Sequence, residues 1–89
     1  MQDLIAFQLT LTGSAQNLTA WPVKNGITII NNSATVADAV AVGNSSAVTT
    51  STGALLNGGT QVWVPLPGGN TNQAWVIGTS GQTVSILGT

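Results

Sequence analysis

The chain has 89 residues, three charged side chains (Asp3, Lys24 and Asp38), a net charge of −1, no His and no Cys. One Lys and no Arg exclude an electrostatic footprint for nucleic acid, and the lack of Cys excludes disulfides and thiol chemistry within these residues. No apolar run approaches the ~20 residues of a membrane-spanning helix, and a hydrophobic fraction of 43% separates the chain from disordered ones, which combine low hydrophobicity with high net charge.

This length predicts a single β domain over residues 1–89. Charged residues are 3% of the chain, against roughly 25% in ordinary domains. The polar surface must therefore be built from Ser, Thr, Asn and Gln. Weak self-repulsion in such a chain favours association. The first residues, Met-Gln-Asp-Leu-Ile-Ala-Phe-Gln, lack the basic region and long apolar core of a signal peptide.

Residues 4–12 alternate, with Ile5, Phe7, Leu9 and Leu11 on one face and Ala6, Gln8, Thr10 and Thr12 on the other. That predicts a half-buried strand of about nine residues. Residues 1–13 are expected to act as an N-terminal arm strand, burying its apolar face against its own sandwich or against a neighbour. Trp21-Pro22 predicts an extended loop or edge segment, and Asn25-Gly26 a tight turn. Strands follow at 27–31 and 36–42, with Asn31-Asn32-Ser33 as the break between them. Residues 47–50 are expected to pair briefly. Ala54, Leu55 and Leu56 are expected to drop into the core.

The C-terminal third is the clearest stretch. Apolar runs at 62–66, 74–77 and 83–87 are bounded by Gly, Pro and Asn. Short runs rich in Val, Ile and Trp between such breakers predict antiparallel strands. Pro65 lies within the first of them, which predicts an edge strand or a bulge. The pattern as a whole predicts an all-β fold: a small antiparallel β-sandwich, jelly-roll-like, with about seven strands.

Catalytic residue types are nearly absent. General acid–base chemistry would have to come from Asp3, Asp38 or Lys24. A Ser or Thr nucleophile would lack a His to activate it. Two Asp separated by 35 positions make a poor cation cage. No enzyme, cofactor or metal is expected. The remaining candidates are aromatic and apolar. If Val62, Val64 and Leu66 point inward, Trp63 points outward, which makes it the first choice for an interface. Trp75 is the first choice for the core. The interface candidates are Trp63, Trp21, Ile5, Phe7, Leu9 and Leu11.

From residue 39 to 88 the chain resembles small structural proteins encoded in bacteriophage genomes, many of them virion-associated. The resemblance rests on Val42-Gly43-Asn44-Ser45, Ser51-Thr52-Gly53, Leu55-Leu56, Gly58-Gly59, the Val62-Trp63-Val64-Pro65-Leu66 strand, the Trp75-Val76-Ile77-Gly78-Thr79 step and Val84-Ser85-Ile86-Leu87. It implies a virion component, specifically a head decoration (cement) protein that binds the major capsid protein on the outer head surface and stabilises it, as a homo-oligomer with a trimer favoured. The chain departs from that pattern in having Trp75 where a Tyr is common, and in having fewer acidic residues in its turns. The strand at 4–12 lies outside the match. The alternative expectation is a tail or fibre module that binds a host surface glycan through a Trp platform. Neither expectation involves nucleic acid or a membrane.

Overall fold

The computed structural model describes residues 4–89. Eight strands and one short 3-10 turn follow one another. They are β1 (Ile5–Thr10), β2 (Gln16–Asn17), β3 (Gly26–Asn31), β4 (Val40–Gly43), β5 (Ala54–Leu56), β6 (Gln61–Pro65), the turn at Thr71–Gln73, β7 (Trp75–Ile77) and β8 (Thr83–Gly88). Two four-stranded sheets face each other, ordered β1-β8-β3-β6 and β2-β7-β4-β5. The antiparallel partners β1 with β8, β2 with β7, β3 with β6 and β4 with β5 are nested about the β4–β5 connection. A long hairpin rolled into two layers gives this order, so the fold is a β-sandwich of jelly-roll topology.

Period-two alternation fixes which side chains enter the space between the layers. Across the first sheet, one inward row is Phe7, Ile86, Ile29 and Val62, and the row beside it is Leu9, Val84 and Asn31. From the second sheet, Val40, Leu56 and Val76 complete the core, joined by Leu11, Leu18, Val23 and Leu66 from the connections.

Several expectations at the level of elements change. The first strand is six residues long: the Leu11 N–H still bonds the Gln82 carbonyl, but its own carbonyl accepts from the Gly81 N–H, one residue out of register, as its side chain enters the core. The strand expected at 36–42 begins only at Val40. Residues 36–37 form a turn and Val36 is exposed, held there by an Asp38 N–H bond to the Thr35 carbonyl. Residues 47–50 do not pair. Ala54 and Leu55 lie in a strand, yet only Leu56 of that trio is buried. The strands not expected are β5 and β2, the latter two polar residues that no apolar pattern could announce. Pro65 does mark an edge strand, since β6 closes the first sheet. Asp3 lies outside the described residues, as does the start of the expected arm.

Asn31 ends the inward face of β3 as a fully buried polar side chain. Its Nδ2 donates to the carbonyls of Asp38 (2.8 Å) and Leu56 (2.9 Å), both in the opposing half of the sandwich. Its Oδ1 accepts from the Ser33 N–H (3.1 Å) and from Gln82 Nε2 (3.2 Å). Two donors and two acceptors are the full capacity of an amide, and all are used. Gln82 Nε2 also reaches the Asp38 carbonyl, while its Oε1 accepts from the Thr79 N–H.

Asn31→Ala should remove all four of these hydrogen bonds from a buried site, including both that reach the opposing half of the sandwich. The expected loss is roughly 2–4 kcal/mol of unfolding free energy, since each orphaned buried group costs about 1–3 kcal/mol. Urea denaturation followed by Trp fluorescence would read it, and a change below about 0.5 kcal/mol would show that water or relaxation replaces the amide.

Candidate interface surface

The two outer faces of the sandwich differ. On the second sheet, Ala41 points outward but is wholly buried, because the 44–53 connection folds back across it. Val48 is the plug. It sits where side chains at Gly43 and Gly53 would have to go: a Cβ on Gly43 would meet Val48 Cγ2 at 2.5 Å and one on Gly53 at 2.7 Å. Those two glycines let the loop lie flat on the strands.

Among the described residues no segment lies over the outer face of the first sheet in this way. One cross-strand row on that face is Ala6, Leu87, Thr28 and Trp63. Four strands at ~4.8 Å spacing make this row roughly 15 Å long. With Leu4 beside it, the row exposes Leu4 (68%), Trp63 (52%) and Leu87 (39%). The next row, Gln8, Ser85, Ile30 and Gln61, is neutral, and Asn32 binds Thr83 and Ser85 through their hydroxyls. This whole strand face is therefore uncharged, half apolar and half amide and hydroxyl.

Trp63 is held on this face by Gly26. A Cβ at Gly26 would approach Trp63 Cζ2 to 3.0 Å and collide with the Val64 carbonyl. The missing side chain is what lets the indole lean over β3, and it explains why Gly26 is buried on an outer face.

Trp21 stands elsewhere, on the connection between β2 and β3. Its ring packs against Phe7, with centroids 6.5 Å apart and planes tilted by 32°, and it remains 45% exposed. Its backbone is pinned by the buried Thr71, whose hydroxyl accepts from the Trp21 N–H (2.8 Å) and whose own N–H donates to the Trp21 carbonyl (3.0 Å). Trp21 thus closes the side of the sandwich at β1. On the opposite side, between β6 and the β4–β5 pair, an apolar groove of about 690 Å³ stays open, lined by Val42, Ala54, Val62, Val64, Leu66 and Pro67 among others.

The other interface candidates are relocated. Leu11 is core, at 1% exposure, and is withdrawn as a contact residue. Ile5, Phe7 and Leu9 are half-buried against the chain's own core, so the β1 apolar face is used at home. Trp75, expected in the core, is half-buried on the outer side of the second sheet, because its neighbour Val76 takes the inward position. Leu87 and Leu4 were missed as surface residues. Strand alternation signalled both, since Val84, Ile86 and Ile5 claim the inward positions.

Charged chemistry is sparse. Lys24 and Asp38 are exposed, and Asp38 Oδ2 accepts from Ser33 Oγ at 2.9 Å. That hydroxyl also accepts from the Thr35 N–H, so the pair closes the 33–38 turn. Among the described residues no three His, Cys, Asp or Glu side chains converge.

No family model matches the chain, and no curated protein sequence matches it. Among solved structures, it is similar to a chain from Bacillus endospore appendages, described as a novel family of disulfide-linked pili. The likeness covers all of this chain and 87% of that one, with a TM-score of 0.56 and 16% sequence identity. At that identity it is the fold that is shared.

Gly26→Ala should force β3 and β6 apart and displace the indole of Trp63. The expected outcome is a loss of roughly 1–3 kcal/mol in stability with a change in Trp emission in the folded state. Unaltered stability and emission would mean that the edge strand relaxes without moving Trp63.

Proposed function

We propose that this chain is a non-catalytic structural module of a multi-subunit particle, and specifically a phage-type capsid decoration protein that binds the outer surface of a head as a homotrimer. The observation that carries the structural role is the uncharged, exposed outer face of the first sheet, beside a second sheet whose central outward residue, Ala41, is covered by the chain's own 44–53 connection. A contiguous exposed apolar strip rimmed by polar groups is the usual mark of an interaction surface. The capsid assignment is supported by the sequence resemblance over residues 39–88. On this reading the partner is the major capsid protein and the location is the virion.

A second reading, a subunit of a fibre or pilus, is favoured by the likeness to the endospore appendage chain. Disulfide linkage of that kind could not come from these 89 residues, which contain no Cys. A glycan-binding fibre module would also use the exposed indole of Trp63.

Binding would rest on apolar burial and on neutral hydrogen bonds, which contribute roughly 0.5–1.5 kcal/mol each. Truncating a buried aromatic anchor costs about 2 kcal/mol or more. Trp63→Ala should therefore weaken capsid binding at least tenfold or so, and Lys24→Ala and Asp38→Ala should change it little. Affinity should be nearly flat between low and high salt, since there is little charge to screen, and flat across neutral pH, because the chain has no His or Cys. Titration of the three variants on particles stripped of the protein, at two salt concentrations, measures this. Stripped particles should also rupture at a lower temperature and recover on adding the protein back, because binding stabilises the state it binds. Equal robustness with and without the protein, combined with a defect in host attachment, would favour the glycan reading.

A further inference from the structure

Among the described residues both edges of the first sheet are open, and their free backbone groups match. In an antiparallel ladder, alternate residues of an edge strand turn their N–H and C=O away from the sheet. The Leu11 N–H bonds the Gln82 carbonyl, so the odd residues of β1 bond β8, and Ala6 and Gln8 point their backbone groups outward. The Asn31 N–H bonds the Thr60 carbonyl and the Leu66 N–H bonds that of Asn25. By the same alternation, the even residues of β6 bond β3, and Gln61 and Trp63 point outward. Each edge therefore offers two consecutive free donor–acceptor residues at the same spacing.

Neither edge carries the usual protection. Strand edges are commonly blocked by charged side chains, proline or a covering segment. Residues 4–10 and 61–65 hold no charge. Blocking is confined to the ends. Gln16 caps β1 by accepting from the Thr12 N–H and donating to the Thr10 carbonyl. Pro65 ends β6 without an N–H.

We propose that a second copy of this chain is the occupant of the β6 edge, docking by its β1 to form one continuous antiparallel sheet. The register follows from the blocked ends. Gln61 pairs with Gln8 of the neighbouring copy and Trp63 with its Ala6, which leaves Pro65 opposite Leu4 and keeps the capped Thr10 out of the ladder. The strand directions agree, because β1, β8, β3 and β6 alternate in sense. Both faces then continue across the junction. On the outer face the Ala6-Leu87-Thr28-Trp63 row meets the neighbour's Ala6. On the inner face Val62 meets the neighbour's Phe7.

The groove gives a second, independent reason. Joining β6 to a neighbour's β1 sets the open side of one sandwich against the closed side of the next. The groove of about 690 Å³ beside β6 then receives the neighbour's Trp21, which stands exposed against Phe7 on the β1 side. This is a heterologous contact, which generates a closed ring or an open filament. It concerns the chain alone and does not rest on the capsid reading.

Proline at an outward-pointing edge position removes no backbone hydrogen bond within the subunit, and the Gln8 variant loses only a long side-chain contact to Ser85 (3.4 Å). Gln8→Pro blocks only the β1 edge and Gln61→Pro only the β6 edge. Sedimentation velocity on the full chain should show oligomers for the unmodified protein and folded monomers for each variant alone. An equimolar mixture of the two should stop at a dimer, since one open edge of each kind remains. Trp21→Ala should weaken association at least about tenfold, the scale of losing an aromatic anchor. Should either proline variant fail to fold by circular dichroism, charge placement decides instead. Gln8→Lys with Gln61→Lys in one chain sets like charges opposite and should abolish association. Gln8→Lys with Gln61→Glu should restore it in a salt-sensitive form. An unmodified protein that stays monomeric up to its solubility limit, or a Gln8→Pro variant that still dimerises alone, would overturn the proposal.

Discussion

The carboxamide of Asn31 holds the two layers in register at one end of the sandwich. It lies at the end of an apolar row, where Leu9 and Val84 precede it across the sheet, and it reaches the carbonyls of Asp38, just before β4, and of Leu56, in β5. Apolar burial supplies most of the drive to pack two sheets but is non-directional. A saturated amide in a low-dielectric site is directional, and its loss leaves costly orphans. Gln82 extends the same network to the β7–β8 connection. Thr71 does comparable work at Trp21 and Thr19. A domain with almost no ions to place is thus fixed in register by neutral amides and hydroxyls.

The near-absence of charge also shapes the surface. In an ordinary small domain, charged side chains keep sheet faces and edges apart. Here Gln, Thr and Ser stand in those positions, so the outer face of the first sheet and the edges of β1 and β6 remain chemically compatible with protein. The second sheet answers the same problem differently, by laying the 44–53 connection with Val48 across its strands. The centre of one sheet's outer face is thus covered by the chain itself, and among the described residues the other sheet's outer face is left exposed. The proposed structural role rests on that asymmetry.

Inward and outward positions were legible wherever the alternation ran for four residues or more. Strands β1, β3, β6 and β8 and the outward position of Trp63 follow from it, as does the edge position announced by Pro65. Legibility failed where local pattern and tertiary contact disagree. The Val and Ala residues from 36 onward read as one strand, but the Thr35–Asp38 turn, closed by Ser33 and Asp38, consumes its first half. Ala54, Leu55 and Leu56 read as core, though only one face of β5 is buried. Trp75 read as core because it is large and apolar, whereas its strand parity belongs to Val76.

What the sequence determined by itself is the class of object: a neutral all-β domain whose turns are set by Gly, Pro and Asn and whose strand faces are set by period two. Those properties are local, since each depends on a few neighbouring residues. What only the tertiary structure decided is which faces and edges are left over. Asn31 looks like a strand breaker until Leu56 and Asp38, far along the chain, come within reach of its amide. The Gly43 and Gly53 positions look like ordinary turns until Val48 fills the space they leave. Whether an outward side chain is surface or is covered depends on segments distant in sequence, and rolling the chain into two layers is what brings them together.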